Sequence, residues 1–262
     1  MNWRYSLQEL CGLKLPHFIV IGAQKAGTTS VHEWLLQHPG IHLPASKEAH
    51  YFTLFHDKTV QWYANHYAGA QRGQLRGDIT PYYAYHPYAA ERIAKLLPAV
   101  RLVYLVRDPV ERTISHYFHE VRRGKESLSI GEALAAEPAR LEGATERLRQ
   151  PGSHDLAHQC YSYVARSRYE VQILHYRRFF APSQLLVLRS EDLFANDSHT
   201  WQRLMTHIGA TPHDSQHALP QANAGRGEAA SVPDELRTTL RDSLAPTYQW
   251  MDREYGIQWK NP

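Results

Sequence analysis

Three short runs of uninterrupted apolar residues, at 18–21, 102–106 and 185–188, constrain the fold more than anything else in this 262-residue chain. A strand with one wet face alternates apolar and polar side chains. Unbroken runs of four or five read as strands buried on both faces, the habit of a parallel sheet covered by helices. Segments with helical period lie between them: Val31, Trp34, Leu35 and His38 share one face, and Val110, Ile114, Tyr117, Phe118 and Val121 share another. Strand then helix, repeated, predicts a three-layer α/β domain with a mainly parallel central sheet. A long helix is expected over 161–180, broken by Pro182. A surface helix or mobile insertion is expected over 129–150, a turn over 150–155, a loop over 219–231 and a last helix from Pro233 to near Leu244. No internal repeat or linker divides the chain, so one domain spanning 1–262 is expected.

Bulk properties narrow the function. A composition 43% hydrophobic and 21% charged is that of a folded globular chain. The run at 18–21 is far short of the roughly 20 apolar residues that span a bilayer, and residues 1–15 lack a signal peptide's apolar stretch, so no membrane span and a cytoplasmic location are expected. A net charge of +3 suits an anion held at one local site. Nucleic acid is not expected, because the basic residues form no long stripe interleaved with aromatics. Cys11 and Cys160 are too few for a disulfide framework or a cysteine-rich metal site; reduced thiols are expected, with a single bridge left open. The seventeen histidines are scattered without an HExxH pair, so no metal is expected; they would add positive charge below about pH 6.5.

The first run leads into Gly22-Ala23-Gln24-Lys25-Ala26-Gly27-Thr28-Thr29-Ser30 and then a helix. A glycine-bearing turn between a strand and a helix N-terminus presents unpaired N–H groups and the positive end of the helix dipole to a phosphate or sulfate. Thr28, Thr29 and Ser30 add hydroxyl donors. The nucleotide-triphosphate loop GxxxxGK[ST] carries its lysine directly after the second glycine. Here Thr28 holds that place and Lys25 precedes Gly27 by two residues, which disfavours an ordinary ATPase. A plain structural turn would account for the glycines and threonines without needing Lys25.

The second run ends in Arg107-Asp108-Pro109, and the helix that Pro109 opens carries Ser115 about two turns on. Arg107 and Ser115 can converge on one anion, the guanidinium being a planar fork suited to phosphate. The alternative pairs Arg107 with Asp108 or Glu111 and leaves Ser115 in solvent.

Both motifs, about 80 residues apart and each after its own strand, resemble those of the sulfotransferases that use 3′-phosphoadenosine 5′-phosphosulfate (PAPS), in particular the heparan sulfate sulfotransferases and their bacterial relatives. G-x-x-K-x-G-T-[TS] resembles that family's 5′-phosphosulfate loop, which implies Lys25, Ala26, Gly27, Thr28, Thr29 and Ser30 as donor-binding residues. R-D-P-x-E-R-x-x-S-x-Y resembles its 3′-phosphate motif, which implies Arg107 and Ser115 as ligands of the 3′-phosphate. Ser46-Lys47-Glu48-Ala49-His50-Tyr51-Phe52 resembles the segment whose glutamate is the family's general base, so Glu48 is the candidate base; His50 is the alternative, since its ordinary pKa lies nearer neutrality. Lys25 would stabilise the charge that grows on the leaving 5′-phosphate.

Gly77-Asp78-Ile79-Thr80-Pro81-Tyr82 resembles a further block but carries Ile79 where the animal glycan enzymes carry lysine, so that lysine's role does not transfer. Asp78 either orients a reacting group or belongs to the turn before Pro81. By resemblance Tyr169 lies near the adenosine or the cleft, and Arg226, in Asn223-Ala224-Gly225-Arg226, adds a 3′-phosphate contact. The implied fold is P-loop-like, with PAPS across the carboxyl ends of the strands and adenosine 3′,5′-bisphosphate (PAP) as product. The implied acceptor is a hydroxyl or amine on a carbohydrate or small molecule. Tyrosines, tryptophan and histidines at 52–70, 82–90 and 125–160 are candidates to stack on its ring. A P-loop nucleotide kinase or other phosphotransferase is the competing reading.

Overall fold

The computed structural model describes residues 12–195, 197–211 and 227–259. Its centre is a five-stranded sheet, all parallel, in the order β2-β3-β1-β4-β5. The strands are β1 (Phe18–Gly22), β2 (Ile41–His42), β3 (Leu75–Ile79), β4 (Arg101–Val106) and β5 (Leu185–Arg189). The three apolar runs are β1, β4 and β5, which lie side by side. β1 is buried along its whole length, as is β4 after Arg101. The fold is the expected three-layer α/β arrangement.

β2 and β3 have no apolar run to announce them. β3 reads Leu-Arg-Gly-Asp-Ile, yet it lies between β1 and β2 with Gly77, Asp78 and Ile79 buried. Asp78 is tolerated there because three hydroxyls surround it: Tyr63 and Tyr83 donate to Oδ2 at 2.7 and 2.9 Å, and Thr80 donates to Oδ1 at 2.6 Å. A buried carboxylate so satisfied is a structural element of the sheet. Asp78 is therefore directed at the core, not at a reacting group.

The helices that matter for the site are α1 (Thr28–Leu36), α2 (Ala89–Leu96), α3 (Pro109–Arg122), α4 (Ile130–Leu141), α5 (Tyr169–Tyr176), α6 (Ser198–Ile208), α7 (Asp234–Ser243) and α8 (Ala245–Tyr255). α3 starts where Pro109 predicts, with Asp108 as N-cap accepting from the backbone N–H of Val110 and Glu111 at 2.9 and 3.0 Å. The single helix expected over 161–180 is instead a 3₁₀ turn, Ala165–Ser167, followed by α5. The buried Glu137 accounts for the break: its carboxylate takes the N–H groups of Val164 and Ala165, both at 2.8 Å, and diverts them from a helical ladder.

The same carboxylate ties the 129–150 segment to the body. α4 opens on the Ser129–Glu132 capping box, and Glu126 accepts from Arg140 and from the Tyr163 hydroxyl. The helix expected from Pro233 is α7, ending at Ser243; it is not the last, because Pro246 opens a further helix, α8.

Of the tyrosines, tryptophan and histidines expected to face a ligand at 52–70 and 82–90, Tyr63, Tyr67, Tyr82, Tyr83 and His86 are buried in the core instead. Tyr51 stacks on Tyr63 with centroids 4.4 Å apart, Phe52 packs edge-on to Tyr63 and Tyr83, and all four are essentially inaccessible. Cys160 is buried as a free thiol, and Cys11 lies outside the described residues.

Candidate functional site

β1 sits at the middle of the sheet, with β3 on one side and β4 on the other, so the chain's crossovers diverge there. Ligands of open parallel sheets collect at the carboxyl ends of strands at such a divergence. The loop after β1 is fixed locally: the Ala23 N–H donates to Leu105 O of β4 at 2.7 Å, and the Ala26 N–H to Ala23 O at 3.1 Å. Gly27 is the N-cap of α1 with φ of 85°, and an added Cβ would stand 2.4 Å from the Phe194 ring, so no other residue fits without movement. Lys25, at φ of 72°, is in the left-handed region that a side chain disfavours, as is His50 at 52°. Such strain concentrates where surrounding structure over-determines a functional loop.

One cleft of about 540 Å³ gathers most of the sequence-derived residues. Gln24, Lys25, Ala26, Gly27, Thr28, Thr29 and Ser30 line it from the first loop, Arg107 and Ser115 from β4 and α3, and Glu48 from the segment before α2. Asp108 and Glu111 are engaged elsewhere. Asp108 caps α3 and accepts from the Tyr248 hydroxyl, and Glu111 pairs with Arg237. The Arg107 guanidinium makes a long contact, 3.4 Å, with the carbonyl of Lys25. Arg107 and Ser115 therefore share the cleft, against the alternative in which they separate.

Tyr169 is behind this surface rather than in it. It is fully buried, and its hydroxyl donates to the Arg107 carbonyl at 2.8 Å, so it braces the backbone that presents the guanidinium. The fully buried Arg112 donates to Ser167 Oγ at 2.6 Å and to the Gln24 carbonyl at 3.4 Å, tying α3 to the first loop. Arg226, with Asn223, Ala224 and Gly225, lies outside the described residues.

Glu48 is gripped at both oxygens, by Lys47 Nζ at 3.2 Å from Oε1 and by His50 Nε2 at 3.1 Å from Oε2. Burial alone would raise its carboxyl; the hydrogen bond from His50 and the charges of Lys47 and His50 outweigh that and hold it below the ordinary range. His50 does not line the cleft; its Nδ1 meets Thr53 Oγ1 at 3.1 Å, so it orients Glu48 from the side. Lys25 is pushed down to about 8, by burial first and then by Arg122, Arg107 and Arg112. This convergence of Lys25 with Arg107, Arg112 and Arg122 is the electrostatics of a site suited to an anion.

Sequence reasoning missed several lining residues. His119 stands one turn beyond Ser115 on α3, and burial with the nearby Lys25 and Arg123 charges lowers it to about 4, leaving a neutral imidazole in the cleft at pH 7. Its i+4 spacing from Ser115 was the available signal. Ser190, Glu191 and Phe194 enter from the end of β5, the next strand over, and only the sheet order brings them in. Glu191 accepts the Asp108 N–H at 2.9 Å and the Trp259 indole at 3.2 Å.

Residues 15–224 match the family model described as the sulfotransferase domain. The membrane-associated sulfotransferase kil1 of Dictyostelium discoideum is 39% identical over 113 residues, 42% of this chain and 24% of that protein. The human heparan sulfate glucosamine 3-O-sulfotransferase 3B1 is 27% identical over 196 residues, 75% of this chain and 46% of that protein. The chain thus spans less than half the length of these relatives. The crystal structure of a sulfotransferase from Alicyclobacillus acidocaldarius superposes with a TM-score of 0.74 at 25% identity, over 94% of this chain and 97% of that one. A mouse sulfotransferase complexed with PAP shares the fold, with a TM-score of 0.51 at 12% identity over 95% and 90%.

Proposed function

The chain belongs to the sulfotransferase family, and on that premise we propose that it transfers the sulfuryl group of PAPS to an acceptor hydroxyl or amine in the cleft between Lys25 and Glu48. The observation that carries this reading is the gathering of Lys25, Arg107, Ser115 and the N-terminus of α1 around one cleft that also holds an ionised glutamate. A donor bearing a 5′-phosphosulfate and a 3′-phosphate needs two anion sites. The loop after β1 supplies one, from the first-turn N–H groups of α1, the Thr28, Thr29 and Ser30 hydroxyls and the Lys25 ammonium. Arg107 and Ser115 supply the other.

In the reaction, the acceptor oxygen or nitrogen forms its bond to sulfur as the bond from sulfur to the bridging phosphate oxygen breaks. The electron pair of the broken bond stays on the phosphate, and the acceptor's proton goes to Glu48. Lys25 faces the oxygen on which charge grows, so its stabilisation is larger in the transition state than in the ground state. A carboxylate base within reach contributes roughly 10²–10⁴ in rate. His50 holds the second Glu48 oxygen and leaves Glu48 as the group that meets the acceptor. The chain acts as one domain, and its acceptor is a hydroxyl or amine on a carbohydrate or small molecule; the name of the 3-O-sulfotransferase relative, a heparan sulfate glucosamine enzyme, supports the carbohydrate.

The test is sulfur-labelled PAPS incubated with a panel of sugars, phenols and amines. Label should move to an acceptor with PAP released in equal amount, and Glu48→Gln should slow the transfer by about 10²–10⁴ while binding PAP normally. Equal turnover in Glu48→Gln would remove it as base, and label transfer from ATP γ-phosphate instead would favour a phosphotransferase.

A further inference from the structure

Lys47 has no part in the reading above, yet it touches both walls of the cleft. Its Nζ lies 3.0 Å from Thr29 Oγ1, in the first turn of α1, and 3.2 Å from Glu48 Oε1. All three side chains line the cleft. An ammonium carries three N–H donors, and these two contacts leave one for a ligand oxygen. Thr29 belongs to the wall assigned to the 5′-phosphosulfate, and Glu48 to the wall that meets the acceptor. An ammonium in contact with both walls is placed to reach a sulfuryl group moving from one to the other.

Resting on that reading, we propose that Lys47 is a catalytic residue that holds the peripheral oxygens of the sulfuryl group and keeps sulfur in line with the acceptor. Lys25 faces the bridging oxygen and the leaving phosphate; Lys47 faces the group that moves. The work is alignment, which brings reacting atoms into attack geometry before bonds change. No proton leaves Lys47: the acceptor's proton still goes to Glu48, and the electron pair of the broken bond to the phosphate. The contact with Glu48 adds a second effect, since the Lys47 charge is among the causes that keep the carboxylate ionised. As an ion pair with side chains 25% and 36% exposed, Lys47 and Glu48 are screened by water and add little to folding. Removing the charge should therefore leave the fold in place.

PAP and PAPS differ by the sulfuryl group alone, so their affinities separate this role from a structural one. Calorimetric titration of the wild type, Lys47→Met and Lys47→Arg with each nucleotide, without acceptor, is the test. Lys47→Met should lose about tenfold or more in PAPS affinity, as expected for a charge-assisted hydrogen bond, and less than twofold for PAP. Lys47→Arg should recover most of the PAPS affinity. A loss by equal factors for both nucleotides, or for neither, would overturn the proposal. A wild type that binds neither nucleotide would overturn the donor reading with it. If Lys47→Met melts well below the wild type, Lys47→Gln answers the same question with a polar side chain in place.

Discussion

The two walls of the cleft are built in different ways. The wall from the first loop and β4 is made of residues that follow strands directly, so its position is fixed by adjacent members of one sheet and by backbone bonds such as Ala23 to Leu105. The wall around Glu48 comes from a segment between strands, and its side chains are placed by one another: Lys47 and His50 hold Glu48, and Thr53 holds His50. The first kind of wall tolerates little change in backbone and much in distant packing. The second depends on each neighbour, and substitutions there should act on the sulfuryl group and its transfer more than on PAP binding.

The largest effects that sharpen this contrast are in turnover. Lys25→Ala should reduce kcat by about 10²–10³, the loss typical of one transition-state donor, and Glu48→Gln by about 10²–10⁴. The contrast breaks if Glu48→Gln weakens PAP as much as Lys25→Ala does. Arg107→Ala should weaken PAP about 10- to 100-fold by calorimetry, the scale of charge-assisted hydrogen bonds, with melting temperature little changed.

Two pH profiles follow in size. Lys25 sits near 8 in the free protein, so its ammonium is present below that pH and lost above it. A bound anion favours the charged form, and PAP affinity should fall by up to about tenfold per unit above pH 8, a slope absent in Lys25→Met. Fold stability should fall on the acid side. His56 and His158 are lowered by burial and neighbouring cations to about 4 and about 3. An unfolded imidazole titrates near 6.5, so below that pH the unfolded chain takes up protons that the folded chain refuses, and denaturant midpoints should drop as pH falls from about 6.5 towards 4.

The smallest expected effect is Tyr169→Phe. It removes the hydroxyl that braces the Arg107 carbonyl, which should cost about 0.5–1.5 kcal/mol of stability and weaken PAP only a few-fold. Tyr169→Phe behaving like Arg107→Ala would mean that the tyrosine itself meets the nucleotide.

The same difference between the walls explains what could be read from the sequence. β1, β4 and β5 are legible because strands buried on both faces are apolar throughout, and the Gly22–Gly27 loop and Arg107 with Ser115 are legible because each follows its strand within one helix. β3 was invisible as a strand because Asp78 is kept in the sheet by three hydroxyls from elsewhere. The break before α5 was invisible because Glu137, some 27 residues earlier, takes the helix's amides. Tyr63 and Tyr83 look like part of a ligand platform in one dimension; in three they pack with Tyr51 and Phe52 in the core. Of the histidines expected to charge below pH 6.5, His56 and His158 are held neutral by burial well below that pH, and the consequence is for acid stability.

The measurement that tests the central claim most directly is the calorimetric comparison of PAP with AMP on the unmodified chain. The two differ by the 3′-phosphate, the group given to Arg107 and Ser115. The account predicts PAP binding at least ten times tighter than AMP; equal affinities, or preference for ATP over PAP, would contradict it.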